Sequence, residues 1–251
     1  MESYATAQQV WVAGLILFRV GSMLMVMPGV GETYVPPRLR LCLALLIALC
    51  LGPIVAPSLP PIPDGVGALA GAVFKETLIG LMIGALMRLF VFTLTTTGEL
   101  VSIQTTLSFA QTANPTEAMP GTTVATFLSM LGLNLIFATD LHHLFIAAIA
   151  RSYTMFPPTK AVGLADGATL MTQTVAKCFA LGLQLAAPVV VFSLVFNLSI
   201  GLVGRAMPQF QVFFVATPLS LLLGLSIFAL SLGGLGLVWM QHYDAYLRQF
   251  I

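Results

Sequence analysis

Six long apolar runs, each carrying an internal charge, proline or small-residue notch, or flanked by one, leave few folds open to this chain. Periodicity and chain breakers place them at roughly Val10 to Met27, Leu39 to Ala56, Val66 to Thr97, Thr123 to Ala150, Thr174 to Val203 and Gln211 to Tyr243. Between them lie the Pro/Gly cluster from Pro28 to Pro37, PSLPPIPDG from Pro57, a polar stretch from Ser102 to Thr123, FPPTK from Phe156, and the passage from Asn197 to Phe213. With 58% hydrophobic and 8% charged residues against about 25% charged in a soluble domain, the chain reads as an all-α membrane protein. Kinked helices are expected in the fifth and sixth runs, because Pro188 and Pro218 fall inside them.

The notches are costly in lipid. Arg19 splits the first run, Lys75, Glu76 and Arg88 cut the third, and Asp140 with two histidines cuts the fourth. A charge at the bilayer centre costs about 2.5 to 3.5 kcal/mol on the lenient insertion scale. As one helix the third run is about 48 Å long, beyond a hydrocarbon core of roughly 30 Å. Such rods are expected to be walled by protein. Gly67 and Gly71, then Gly80 and Gly84, form two small-xxx-small pairs on nearly opposite faces of that run, candidates for close helix packing.

Other classes fall away. The net charge is +1 and no basic cluster occurs, so nucleic-acid binding has no electrostatic footing. MESYATAQQ lacks the basic start of a secretory signal, so the first apolar run is expected to persist. Cys42, Cys50 and Cys178 show no metal or redox spacing and are expected to be small buried hydrophobes. Lys and Arg are nearly balanced between alternate loops, so no orientation follows. No fixed-period repeat occurs, and one domain over residues 1–251 is expected.

Three passages carry polar chemistry. ELVSIQTTLSFAQTANPTEAMP, Glu99 to Pro120, is too polar to span and too apolar for a solvated loop; it marks Gln104, Leu107, Ser108, Phe109, Gln111, Asn114 and Met119 as pore-lining or plug residues, or alternatively as an interfacial re-entrant loop. ATDLHHLF holds Asp140, His142 and His143 without the His-Glu-x-x-His spacing of a zinc helix, and adjacent histidines diverge by about 100°, so a helix-end hydrogen-bond cluster is favoured over a metal or proton relay. In NLSIGLVGRAMPQFQVF a helix is expected to break just before Pro208. Arg205, with the amides of Asn197, Gln209 and Gln211, is expected to satisfy orphan carbonyls or a partner carboxylate; a snorkelling arginine is the alternative.

GELVSIQTTLSFAQTANP from Gly98, DLHHLF from Asp140 and NLSIGLVGRAMPQFQVFFVATPLSLLLG from Asn197 together resemble the FliR family of type III secretion export-gate proteins. The matching positions are Gly98, Glu99, Leu100, Gln104, Leu107 to Ala110, Asn197, Leu198, Gly201, Leu202, Arg205, Pro208, Gln209, Pro218 and Leu219. Asn114 stands where that family often has aspartate, and Thr106 and Thr217 where it often has glycine. The resemblance implies a non-enzymatic, single-copy subunit without cofactor or metal, packed with FliP and FliQ into a helical hetero-oligomeric export gate beside FlhA and FlhB. Unfolded flagellar proteins would cross the bacterial inner membrane there, with the helices forming kinked helical hairpins raised toward the periplasm within the flagellar basal body and lipids around them. It further implies a plug over residues 104–122, and polar or interface roles for Glu99, Arg88, Asn197, Arg205, Pro208 and Gln209. Since injectisome relatives have a similar core, the equivalent injectisome export-gate subunit is an alternative. A small-solute carrier is the main rival, since broken helices and midplane polar groups also build solute sites; an enzyme lacks a recognised nucleophile-base motif.

Overall fold

Apolar residues that recur at helical spacing become buried stripes. On α1, Glu2–Val26, the pairs Leu15/Ile16, Arg19/Val20 and Met23/Leu24 follow one another a turn apart and are all buried. The computed structural model describes residues 2–108, 121–160, 163–207 and 212–250, and among these every regular element is a helix. α2 spans Pro37–Val55, opening on a proline whose fixed φ suits a first helical turn, and a single 3-10 turn, Ala56–Ser58, follows it. α3 spans Val66–Gln104, α4 Thr123–Ala138, α5 Leu141–Met155, α6 Leu164–Ala206 and α7 Val212–Leu247, and a last 3-10 turn covers Arg248–Phe250.

Five of these helices are long and apolar enough to cross a membrane, and α4 with α5 makes a sixth if that broken pair is one span. The chain is therefore an all-α membrane protein. The segments differ from the apolar runs in instructive ways. α3 passes through Lys75, Glu76 and Arg88 uncut and continues to Gln104, 39 residues or about 58 Å. α6 begins ten residues before Thr174, since the polar turns of LADGATLMTQ are helix-competent although they carry no hydropathy signal. α6 and α7 run on through Pro188 and Pro218. The fourth run breaks at Thr139–Asp140, where Asp140 takes φ 58°, a left-handed conformation that ends a helix and that aspartate tolerates better than most residues.

The residues cluster into two compact units. The first comprises the described parts of Met1–Leu89, Asp140–Thr174 and Asp244–Ile251. Its core joins the α1 stripe to Ile79, Ile83, Leu86 and Met87 of α3 and to Phe145, Ala148 and Ile149 of α5. Gly80 and Gly84 let α3 approach α1: a Cβ at Gly80 would collide with the Arg19 carbonyl and the Ser22 hydroxyl, and one at Gly84 would lie 2.7 Å from the Met23 carbonyl. At Gly67 and Gly71 no atom lies within 4 Å of such a Cβ, so that pair packs on nothing in the described chain.

The second unit comprises the described parts of Phe90–Thr139 and Val175–Tyr243. Phe90 and Leu94 of α3, Leu128 and Ile136 of α4, Ala186 and Val189 of α6 and Trp239 of α7 fill its core. The Trp239 indole N–H donates to the Phe90 carbonyl at 3.0 Å, and the Tyr243 ring stacks on Phe90 at 5.4 Å. Gly182 lets α6 pack closely on α3: an added Cβ there would lie 3.2 Å from the Thr93 carbonyl, and the Thr97 hydroxyl donates across to the Gly182 carbonyl at 3.1 Å. Cys178 is buried here, whereas Cys42 and Cys50 are exposed on α2. That differs from the expectation for these two because much of α2 faces outward, with Leu39, Leu46 and Leu49 among its exposed residues.

Candidate functional site

The last turns of α3 carry side chains that hold both ends of the polar passage leading to α4. Glu99 Oε1 accepts the Thr122 backbone N–H at 2.9 Å. Thr122 is the N-cap of α4, its own hydroxyl accepting from Ala125 N at 3.3 Å, so the carboxylate lies where a helix N-terminus favours negative charge. Gly98 sits directly on the Ala125 backbone, and the Thr95 and Ser129 hydroxyls pair at 2.9 Å, fixing α3 on α4. One turn on, Gln104 Oε1 accepts from the Ser193 hydroxyl of α6 at 2.7 Å, and Asn197 Nδ2 donates to the same Ser193 oxygen at 3.3 Å. The passage is thus tied by Gln104 where it leaves α3 and by Glu99 where it enters α4.

The turn out of α3 has its own demand. Thr106 adopts φ 61° and Gly121 φ 108°. Glycine takes such angles without cost, whereas a β-branched residue is strained there. The position where the resembled family often has glycine is therefore one whose backbone calls for it.

Leu107 and Ser108 are half-buried at the start of the passage. Phe109, Gln111, Asn114, Met119, Pro208 and Gln209 lie outside the described residues. α6 ends at Ala206, just before Pro208. Arg205 is exposed, and among the described residues its guanidinium reaches no carbonyl, while Asn197 turns to Ser193. Among the described residues the exposed Arg205 has no carbonyl partner, and Gln209 and Gln211, which share that expectation with it, lie outside them. Arg88 donates to the Val26 carbonyl at 3.3 Å, capping the end of α1, and lies 3.6 Å from Glu32.

Sequence reasoning missed how the remaining charges are met. Arg19 and Glu76 each sit on their helix's buried stripe and face one another: Nε donates to Oε2 at 2.5 Å and Nη2 to Oε1 at 3.1 Å. The guanidinium also donates to the Ser152 and Phe156 carbonyls, at 3.1 and 3.0 Å, and lies 4.2 Å from the centre of the Tyr153 ring. Lys75 Nζ donates to the Pro158 carbonyl at 2.6 Å and to that of Lys160. The ionised groups that forbid lipid exposure thus find counter-groups within the chain and hold the end of α5. No local spacing could have announced a pair 57 residues apart.

At the opposite end of α5, His143 Nδ1 lies 3.8 Å from Asp140 Oδ1, and the His142 and His143 rings are 4.2 Å apart.

These features define a polytopic helical membrane protein with an internally neutralised charge knot and a polar passage tied at both ends. The chain matches the family described as Bacterial export proteins, family 1, over residues 10–246. It is 60% identical over 250 residues to the flagellar biosynthetic protein FliR of Caulobacter vibrioides, covering all of both chains. It is 31% identical to the Escherichia coli FliR over 85% of this chain and 81% of that one, and 26% identical to the Aquifex aeolicus FliR over 94% and 91%. The chain belongs to the FliR family of flagellar biosynthetic export proteins, and is a membrane-embedded component of that export apparatus.

Proposed function

We propose that this chain is a single-copy subunit of the flagellar export gate of the inner membrane, assembling with FliP- and FliQ-type subunits next to FlhA and FlhB to pass unfolded flagellar proteins outward. The observation that carries the reading is the two-ended tether of a polar passage, in a chain alike over its full length to a flagellar export relative. A passage anchored at Gln104 and at Thr122 can lie across a pore without leaving it, which suits residues 104–122 to the role of plug. The exposed apolar faces of α2 and α7, with Leu46, Phe214 and Leu230 among them, suit lipid and sister subunits, and exposed Arg205 suits a partner carboxylate.

Purification through a tag on this chain tests the assembly: FliP-like and FliQ-like proteins should come with it. Recovery of the chain alone would reopen the small-solute carrier. In the reconstituted gate, deleting residues 109–120 or replacing Glu99 with Ala should raise small-ion leak, whereas Glu99→Gln, which keeps an acceptor for Thr122, should leak less than Glu99→Ala. Unchanged conductance in the deletion removes the plug.

A further inference from the structure

The first turn of α5 brings together three side chains that the export reading does not use. We propose that Asp140, His142 and His143 bind one borderline divalent cation of the Zn²⁺ type, with water completing its shell. One donor atom from each residue lies within 4.8 Å of the other two. In an unbroken helix adjacent histidines diverge by about 100°. His142 and His143 both lie in the first turn of α5, yet their imidazoles tilt together with centroids 4.2 Å apart, and the left-handed turn at Asp140, φ 58°, places its carboxylate beside His143.

Ligand distances of about 2.0 to 2.2 Å put neighbouring donors of a tetrahedral shell about 3.4 Å apart, so the cluster must contract. Asp140 and His143 are 75% and 66% exposed and can turn without disturbing the core, while His142 is half-buried and holds its place. Two imidazoles and a carboxylate suit Zn²⁺ and neighbouring transition ions, and suit Mg²⁺ or Ca²⁺, which prefer all-oxygen shells, poorly. The positive end of the α5 dipole opposes a cation, so the Asp140 carboxylate is required as well as the rings.

The test uses the full chain, free of any histidine tag, in detergent after chelator treatment, with Zn²⁺ titrated against a chromogenic competitor. One Zn²⁺ per chain is expected. Binding should weaken at least about tenfold, or 1.4 kcal/mol, in Asp140→Asn, His142→Ala and His143→Ala, and stay unchanged in His242→Ala. Excess Mg²⁺ should not compete, and visible Co²⁺ bands should disappear in His143→Ala. Melting of the metal-free variants shows whether each is folded; the exposed Asp140 and His143 variants keep the test decisive if His142→Ala is not. Affinity that survives both exposed-site changes, no binding at all, or displacement by Mg²⁺ overturns the site. None of these outcomes depends on assembly of a gate, so failure here leaves the export reading standing.

Discussion

Replacing Arg19 with methionine should be among the most destabilising single changes outside the apolar core, and the structure sets its size. The guanidinium is 0% exposed and Glu76 2% exposed, so the change strands a carboxylate that has lost two charge-assisted hydrogen bonds and cannot reach water. Breaking a buried pair from one side costs about 3 to 5 kcal/mol, or roughly two to three and a half powers of ten in the folding equilibrium. The carbonyls lose less, since that of Ser152 keeps the Phe156 N–H at 2.9 Å. Glu76→Gln should cost less than Arg19→Met, because the cation retains two carbonyls and the Tyr153 face. The double change Arg19→Met with Glu76→Gln removes both charges and should be less damaging than Arg19→Met alone. Reversible denaturation of the isolated chain in detergent, followed by the fluorescence of fully buried Trp239, gives all three values. Arg19→Met within about 1 kcal/mol of the parent, or a double variant equal to the sum of the singles, refutes an intrachain pair. The charges would then have to be met by other subunits.

Two further changes read the close approaches and the backbone. Gly80→Ala should cost about 1 to 3 kcal/mol in the same assay, because the Arg19 carbonyl cannot retreat, whereas Gly71→Ala should gain up to about 1 kcal/mol from helix propensity. Should Gly71→Ala also abolish co-purification of other gate proteins, the open face of α3 is an interface. Thr106→Gly should stabilise by about 1 kcal/mol or less, the relief of a left-handed β-branched residue outweighing the lost chain stiffness; a loss would mean that the Thr106 side chain contributes more than its backbone costs.

Much of the candidate site was visible before its geometry. Glu99, Gln104 and Asn197 stood out as polar groups in apolar surroundings, which in a membrane chain need partners. Their partners did not stand out: Ser193 and Thr122 are ordinary hydroxyl residues, and only the docking of α6 and α4 on α3 shows that they complete the tether. Arg205 was the reverse, a conspicuous residue that the described chain leaves exposed.

Hydropathy period, composition and the placing of prolines are local quantities, and they were enough for an all-helical membrane chain, its six apolar runs and the helix end before Pro208, while the kinship with flagellar export proteins rested on the likeness of three short motifs. Which charge meets which is not local. Arg19 and Glu76 are far apart along the chain and meet only because the α1 and α3 stripes pack at Gly80 and Gly84. For these residues the wall of protein is the chain's own, since tertiary packing supplies within it the counter-charge and carbonyls that lipid cannot.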